Sequence, residues 1–382
     1  MTEVLVPFSR PPHTDADVER ARRVMRSDRV EGGGVETKAC QKWLESRVGC
    51  RKALLTTSCT AALEMACLLL DLKPGDEVIL PSFTFSSSAN AIALRGAVPV
   101  FVDSRDDNLN MDETKVAAAV TSRTRAVMPV HYAGVGCEMD SLMKVANQHG
   151  LVVIEDAAQG ICADYREAPL GGIGAMGAFS FHVSKNISCG EGGALLINDE
   201  KYVERAEILW EKGTNRAQFL RGEVDKYTWR DLGSSFLPSE ILAAILITQL
   251  DRADEITATR LRLWNRYHDA LAGLEEEGLL RRPRISNGCR HNAHIYYVLL
   301  RSEAERNRVI GVLRERGINT QFHYVPLHSA PAGRRYGRVA GSMDVVDDLS
   351  GRLLRLPLYP DMSAAQEELV ITNLERAVRA SS

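Results

Sequence analysis

Lys185 stands in the stretch FSFHVSKNISCGEGGALLIND, a run of small and polar residues between two strand-like apolar segments. A lysine there becomes a nucleophilic amine once burial or a neighbouring cation lowers its pKa. Other chemically pointed residues also follow apolar runs. Asp156 ends LVVIED, with Gln159 three residues on, and Ser58, Cys59 and Thr60 lie between the run KALLT and a helix-like segment. Phe83 and Phe85 follow EVILP. Taken singly, each has an ordinary reading: Asp156 and Ser58 as helix caps, Lys185 as a solvated amine.

Placed together at the carboxyl ends of strands, where open α/β sheets bind ligands, they describe one chemistry. A helix N-terminus offers free N–H groups to a phosphate. A carboxylate can keep a pyridine nitrogen protonated, an aromatic ring can stack on the pyridine, and a lysine can form a Schiff base with an aldehyde. Those are the needs of pyridoxal 5′-phosphate, whose ring serves as an electron sink.

The surrounding elements must deliver these residues to one edge. Apolar runs recur at Lys52–Thr56, Glu77–Pro81, Val98–Val102, Arg125–Val130 and Leu151–Asp156, separated by helix-like segments such as TAALEMACLLL and MDSLMKVANQHG. Strands nearly continuous in Val, Ile and Leu, alternating with helices, predict a parallel sheet covered on both faces. GAFSFH and GALLIND bring the expected total to about seven. Two helices precede the sheet: TDADVERARRVM, capped by Thr14, and ETKACQKWLESRV. After a charged helix at DEKYVERAEILWEKG comes a long polar stretch, Thr214 to Ser235, with little periodicity. Long helices from Pro238 then lead to a smaller α+β unit with strands expected at HIYYVLL and NTQFHYV and a helix over Ala304–Gly317. The chain reads as α/β, with a large cofactor-binding domain over 1–250 and a small C-terminal domain over 251–382.

Composition narrows the class. The chain has 382 residues, is 45% hydrophobic and carries a net charge of −3 from 47 basic and 50 acidic residues. No basic field points to nucleic acid or a membrane surface. Eight cysteines occur without a CxxC pair, which fits a reducing cytoplasm. The opening MTEVLVPFSRPP lacks the features of a signal peptide, and the longest apolar run, near Ile241–Ile247, is too short to span a bilayer.

EDAAQG, SFHVSKN…GEGGAL and SCTAALEMA resemble the DegT/StrS family of nucleotide-sugar aminotransferases, and the likeness runs from PFSRPP to RLLRLPLYPDMS. MPVHYAGV, EKGTNR and DKYTWRDLGSS are most similar to the branch that makes dTDP-4-amino-4,6-dideoxygalactose. The resemblance implies a fold type I architecture and a homodimer whose active site lies between subunits. It implies Lys185 as Schiff-base lysine and proton shuttle, Asp156 at the pyridinium nitrogen, Gln159 near the phenolic oxygen and Phe85 as stacking ring. Ser58, Cys59, Thr60 and Ser180 would surround the phosphate. Many members complete that site with a GxNxR segment from the neighbouring subunit; here GSSFL puts Ser235 and Leu237 at the Asn and Arg positions, so only Ser235 can hydrogen-bond. His323, Tyr324 and His328 would face the substrate, and Arg230 its pyrophosphate. The implied reaction moves the amino group of L-glutamate to C4 of dTDP-4-keto-6-deoxy-D-glucose, with the galacto product favoured over the gluco product or a 3-amino sugar.

Three motifs point elsewhere. Gly172–Gly177 matches GxGxxG but precedes a strand instead of opening a helix, so it reads as a flexible loop and not a dinucleotide site. Cys289, His291 and His294 are three close ligand types without a second cluster, weak for zinc and read as a surface loop. His182, near Lys185, is assigned packing or hydrogen bonding and no catalytic part. A sugar dehydratase relative would carry histidine at the Lys185 position. A non-catalytic relative need not keep Lys185, Asp156 and Gln159.

Overall fold

The strand at Lys52–Thr56 pairs with Gly193–Ile197, far along the chain, and that pairing sets the plan. The computed structural model describes residues 4–380. In chain order its strands are β1 Lys52–Thr56, β2 Glu77–Pro81, β3 Val98–Val102, β4 Thr124–Val127, β5 Val152–Asp156, β6 Asp164–Tyr165, β7 Ala168–Pro169, β8 Met176–Ser180, β9 Gly193–Ile197, β10 Cys289–Arg290, β11 Tyr296–Leu299, β12 Arg338–Val339 and β13 Leu353–Leu356. The main sheet runs β1-β9-β8-β5-β4-β2-β3-β12. Only β9 lies antiparallel to its neighbours; the other pairings are parallel.

The sheet is the large, mostly parallel one expected, but it has eight strands, not about seven. Arg338 brings β12 to the edge beside β3. Its guanidinium bonds both oxygens of the fully buried Glu77, at 3.0 and 2.8 Å. These bonds and Arg123 hold the Glu77 carboxyl down at about 2, so the clamp stays charged at neutral pH.

Each strand buries both faces, and its residues alternate between separate cores. Leu54, Val78, Leu80 and Ile154 face one cluster with α3 (Cys59–Leu69, introduced after α1 Asp15–Met25 and α2 Val35–Val48). Ala53 and Leu55 pack with α2 on the opposite side, and Ile79 and Val153 face a further cluster there. Fully burying one such aliphatic side chain stabilises the fold by about 1.5–3 kcal/mol.

Local signals set the helix ends. At the start of α1 the Asp17 carboxylate reaches back to accept the Thr14 N–H at 2.7 Å. Gly49 takes the left-handed conformation that ends α2, at φ 79°. Ser58 caps α3, its hydroxyl accepting from the Ala61 N–H at 3.1 Å.

Beyond residue 250 a second core gathers Trp264, Tyr267, Tyr296, Leu354, Leu356 and Val370, together with Val6 from the N-terminal end. Here one expectation fails. NTQFHYV is not a strand; within it Asn319 N–H donates to the Val6 carbonyl and Gln321 exchanges backbone hydrogen bonds with Arg355, with no continuous ladder between them. Phe322 and Val325 are exposed, so no core backs the alternation. The partner of β11 is instead β13. The polar stretch 214–235 is also more ordered than its composition suggests. It holds a short helix, Arg216–Leu220, and closes on itself through bridges between Thr214 and Trp229 and between Glu211 and Ser235.

Candidate active site

A cavity of about 660 Å³ opens where β1, β2, β5 and β8 end, walled on its far side by residues from the C-terminal unit. Ser58, Cys59, Thr60, Phe85, Asp156, Gln159, Ser180, Lys185, His323 and Tyr324 all line it.

Asp156 is the last residue of β5, 5% exposed. Its N–H donates to the Pro129 carbonyl at 2.9 Å, and its carbonyl accepts from His131 N–H at 3.1 Å. The carboxylate is held in turn: Ser88 Oγ donates to Oδ2 at 2.7 Å, and Ala158 N–H to Oδ1 at 3.2 Å. Ser88 lies in α4 (Ser86–Ala93), the helix Phe85 precedes. The Phe85 ring is 61% exposed and free to be covered by a ligand.

Lys185 follows β8 in a loop closed by Phe181 N–H to Gly192 carbonyl and Val183 N–H to Gly190 carbonyl, both 2.8 Å. Burial lowers its pKa, and the charge of Arg355 lowers it further; Cys59 and Asp156 oppose them. Gln159 is fixed at both ends, its Oε1 accepting from Ala133 N–H at 2.7 Å and its Nε2 donating to Tyr324 OH at 3.3 Å.

The N-terminus of α3 is brought against β9 by Gly193. A Cβ there would sit 2.4 Å from Cys59 N, so only glycine permits the approach. Thr60 and Ser87 share a hydrogen bond of 2.7 Å beside it. The result is a hydroxyl-rich pocket at a helix N-terminus, suited to a phosphate.

Residues 12–375 match the model of the DegT/DnrJ/EryC1/StrS aminotransferase family. The chain belongs to this family. Among its relatives, the spore coat polysaccharide biosynthesis protein SpsC of Bacillus subtilis (strain 168) is 33% identical over 382 residues, covering 98% of this chain and 97% of that one. The crystal structure of the aminotransferase TlmJ from Streptoalloteichus hindustanus is 29% identical, with a TM-score of 0.90 over 99% of this chain and 100% of that chain. Spr1654 from Streptococcus pneumoniae, in its PMP-form, is 26% identical with a TM-score of 0.91, over 99% of this chain and 100% of that one; it is also known in a PLP-form. The architecture of this DegT/DnrJ/EryC1/StrS chain is that of the fold type I aminotransferases.

Not every expected residue reaches the cavity. His328 lies outside it. Its Nδ1 is 2.7 Å from the hydroxyl of the fully buried Ser82, and its Nε2 is 3.4 Å from Asp347, so it ties the C-terminal loop to the end of β2. Arg230 and Ser235 are exposed and do not line the cavity of their own chain. Leu237 packs against Gly32 and the central core. His182 pairs with Ser184 Oγ at 2.8 Å at the rim.

The GxGxxG loop, expected to be flexible, is tied down by hydrogen bonds to a buried carboxylate. The buried Glu155 accepts from the N–H groups of Gly171, Ile173 and Gly174 at 2.8, 2.7 and 2.6 Å. Nor is the stretch around His294 a surface loop: Asn292, Ala293 and His294 are buried. Its three suspected ligands diverge. Cys289 Sγ contacts the Gly136 carbonyl, His291 packs on Trp264, and His294 Nδ1 bonds Asn186 Oδ1 at 2.9 Å.

Sequence reading missed Phe8, Ser9, His294 and Arg355, all of which line the cavity. For Arg355 a signal existed. It interrupts the apolar alternation of RLLRLPL, as a residue facing away from a strand's core would.

Proposed function

We propose that this chain is a pyridoxal phosphate-dependent aminotransferase moving the amino group of L-glutamate to the C4 ketone of dTDP-4-keto-6-deoxy-D-glucose. The observation that carries this reading is the convergence of Lys185, Asp156, Gln159, Phe85 and the α3 N-terminus on one cavity.

The residues fit the cofactor. The first turn of α3, with Ser58, Cys59 and Thr60, and Ser180 from β8 would hold the phosphate. Asp156 would face the ring nitrogen, and its ordered carboxylate suits a protonated partner. Phe85 would cover one ring face. Bound pyridoxal phosphate supplies an electron sink for the carbon that loses its proton. Lys185, its pKa lowered by burial, is suited to exist as a neutral amine, to take a proton from the substrate carbon onto its Nζ and to return it from there. His323 and Tyr324, joined to Tyr132 and Gln159, would shape the sugar side of the pocket.

A two-fold homodimer is part of the proposal. Phe219, Leu220, Tyr227, Trp229 and Leu232 leave apolar surface exposed on the 214–235 segment, suited to a second copy. Cytoplasmic residence is supported by eight cysteines that are all free thiols.

The test is spectroscopic and then chemical. Purified protein should absorb in the visible, lose the band with L-glutamate, and regain it with the keto-sugar. NMR of the product then decides stereochemistry: small H4 couplings support the galacto amine, large ones the gluco amine. A 3-amino product would move the site of reaction, and a colourless protein that never binds the cofactor would favour a non-catalytic relative.

A further inference from the structure

His294 lines the cavity at 6% exposure, on a segment whose backbone is held under strain. The preceding Ala293 takes φ 51°, a conformation that costs an L residue free energy and persists where surrounding bonds impose it. Those bonds are present. The buried Arg260 donates to the carbonyls of Ala293 and His294 at 3.0 and 2.7 Å. The Asn292 amide donates to the Gln159 and Ile161 carbonyls at 2.8 and 2.7 Å and accepts the His294 N–H at 3.0 Å. A Cβ at Gly134 would overlap that amide, so glycine makes room for it.

The His294 ring is bonded on one side. Its Nδ1 lies 2.9 Å from Oδ1 of Asn186, the buried residue that follows Lys185. Asn186 Nδ2 donates to the Asn292 carbonyl at 2.9 Å, and turning the amide over would set two oxygens against each other. Oδ1 is an acceptor, so the ring proton sits on Nδ1. Nε2 then carries a lone pair, and no described residue donates a hydrogen bond to it. Burial, with the charge of Lys185, keeps the ring neutral. An acceptor without charge is left for a ligand.

The two substrates of the proposed reaction differ in what they can give it. L-Glutamate brings two carboxylates, which accept, and an amine that is the group transferred. The diphosphate of a nucleotide sugar also accepts, and it is attached at C1, across the ring from the reacting C4. The sugar itself brings hydroxyls. His294 is tied to the residue next to Lys185, and Lys185 must reach the reacting carbon, so the group it meets lies beside C4. In a 4-keto-6-deoxy sugar, C5 bears the ring oxygen and a methyl group. The flanking hydroxyl is therefore the one at C3.

We infer that His294 Nε2 accepts a hydrogen bond from the C3 hydroxyl of the keto-sugar, with Asn186 as the positioning residue that fixes the tautomer. This rests on the keto-sugar aminotransferase reading above. The contact serves the sugar half of the reaction and offers nothing to L-glutamate.

The test compares holoenzyme of the natural chain with His294→Phe, His294→Gln and Asn186→Leu. Each receives dTDP-4-keto-6-deoxy-D-glucose or its 3-deoxy analogue, and loss of the visible band with L-glutamate is timed separately. The natural chain should prefer the 3-hydroxy sugar by roughly 10- to 100-fold in kcat/KM, because the analogue leaves an enclosed acceptor unpaired. His294→Phe should lose that preference by slowing the 3-hydroxy sugar. His294→Gln, whose amide oxygen can accept, should keep part of it. Asn186→Leu, which frees the ring proton to move to Nε2, should lose most of it. The L-glutamate half-reaction should change less than the sugar half in every variant.

No preference in the natural chain overturns the inference, as does full preference in His294→Phe. Equal slowing of both half-reactions would make His294 a structural residue and also overturns it. Full preference in Asn186→Leu overturns the tautomer lock. If His294→Phe does not fold, His294→Gln must still show a reduced preference. Failure of the aminotransferase reading looks different: no cofactor band, or no turnover of the 4-keto-sugar, in the natural chain.

Discussion

The Ser88 hydroxyl reaches Oδ2 of Asp156 over 2.7 Å, so α4 orients a carboxylate that β5 delivers to the cavity. A hydrogen bond to a charged group contributes about 1.5–3 kcal/mol. Ser88→Ala should therefore lower kcat/KM by roughly 10- to 100-fold. Asp156→Ala should lower it further, because the carboxylate itself is lost. Steady-state kinetics measures both, and normal activity in Asp156→Ala would remove that residue from the site.

Lys185→Ala should abolish turnover, with a loss of at least the roughly 10²–10⁴-fold typical of a positioned acid–base group. Borohydride should fix the cofactor irreversibly to the natural chain and not to the variant. Mass spectrometry of the reduced proteins reads the difference. Label retained by the variant would place the amine elsewhere.

Glu155 is fully buried and accepts three backbone N–H groups as well as His131 Nε2 at 2.9 Å. Glu155→Gln would turn an NH₂ group toward donors in an enclosed site. The expected cost is about 3–5 kcal/mol of stability, seen as a lower thermal midpoint. An unchanged midpoint would mean the Gly171–Gly174 loop is held by other contacts.

Burial holds His291 down to about 4 from an ordinary 6.5, and His294 and His323 well below theirs. The folded state keeps these rings neutral while the unfolded chain takes up protons below about pH 6.5. Stability is therefore full above that pH and falls as pH drops toward 4. Urea titrations of cofactor-free protein at pH 7 and 5 should show this loss, and His291→Gln should reduce it. A pH-independent midpoint would contradict it.

Trp229 is 77% exposed and Leu232 57% exposed in the isolated chain. If this segment meets a second copy, Leu232→Asp should shift sedimentation from dimer to monomer and lower activity with it. An active monomeric natural chain would refute the assembly.

Residue order alone determined a good deal here. Short Val-, Ile- and Leu-rich runs alternating with helix-like segments marked strands buried on both faces, and their carboxyl ends marked where Lys185, Asp156 and the α3 N-terminus must meet. Those signals are local, set by periodicity and capping. What remained hidden depends on contacts between distant segments. Gln321 could have led a strand or bridged a single residue; the choice fell to β13, whose leucines reach the C-terminal core while Phe322 and Val325 reach none. His328 looked like a substrate contact until Ser82, 246 residues earlier in the chain, claimed its ring. Arg355 became a cavity residue only because β13 pairs with β11 and turns its alternate face toward the sheet. Side-chain type states what a residue can do, and long-range packing decides what it meets.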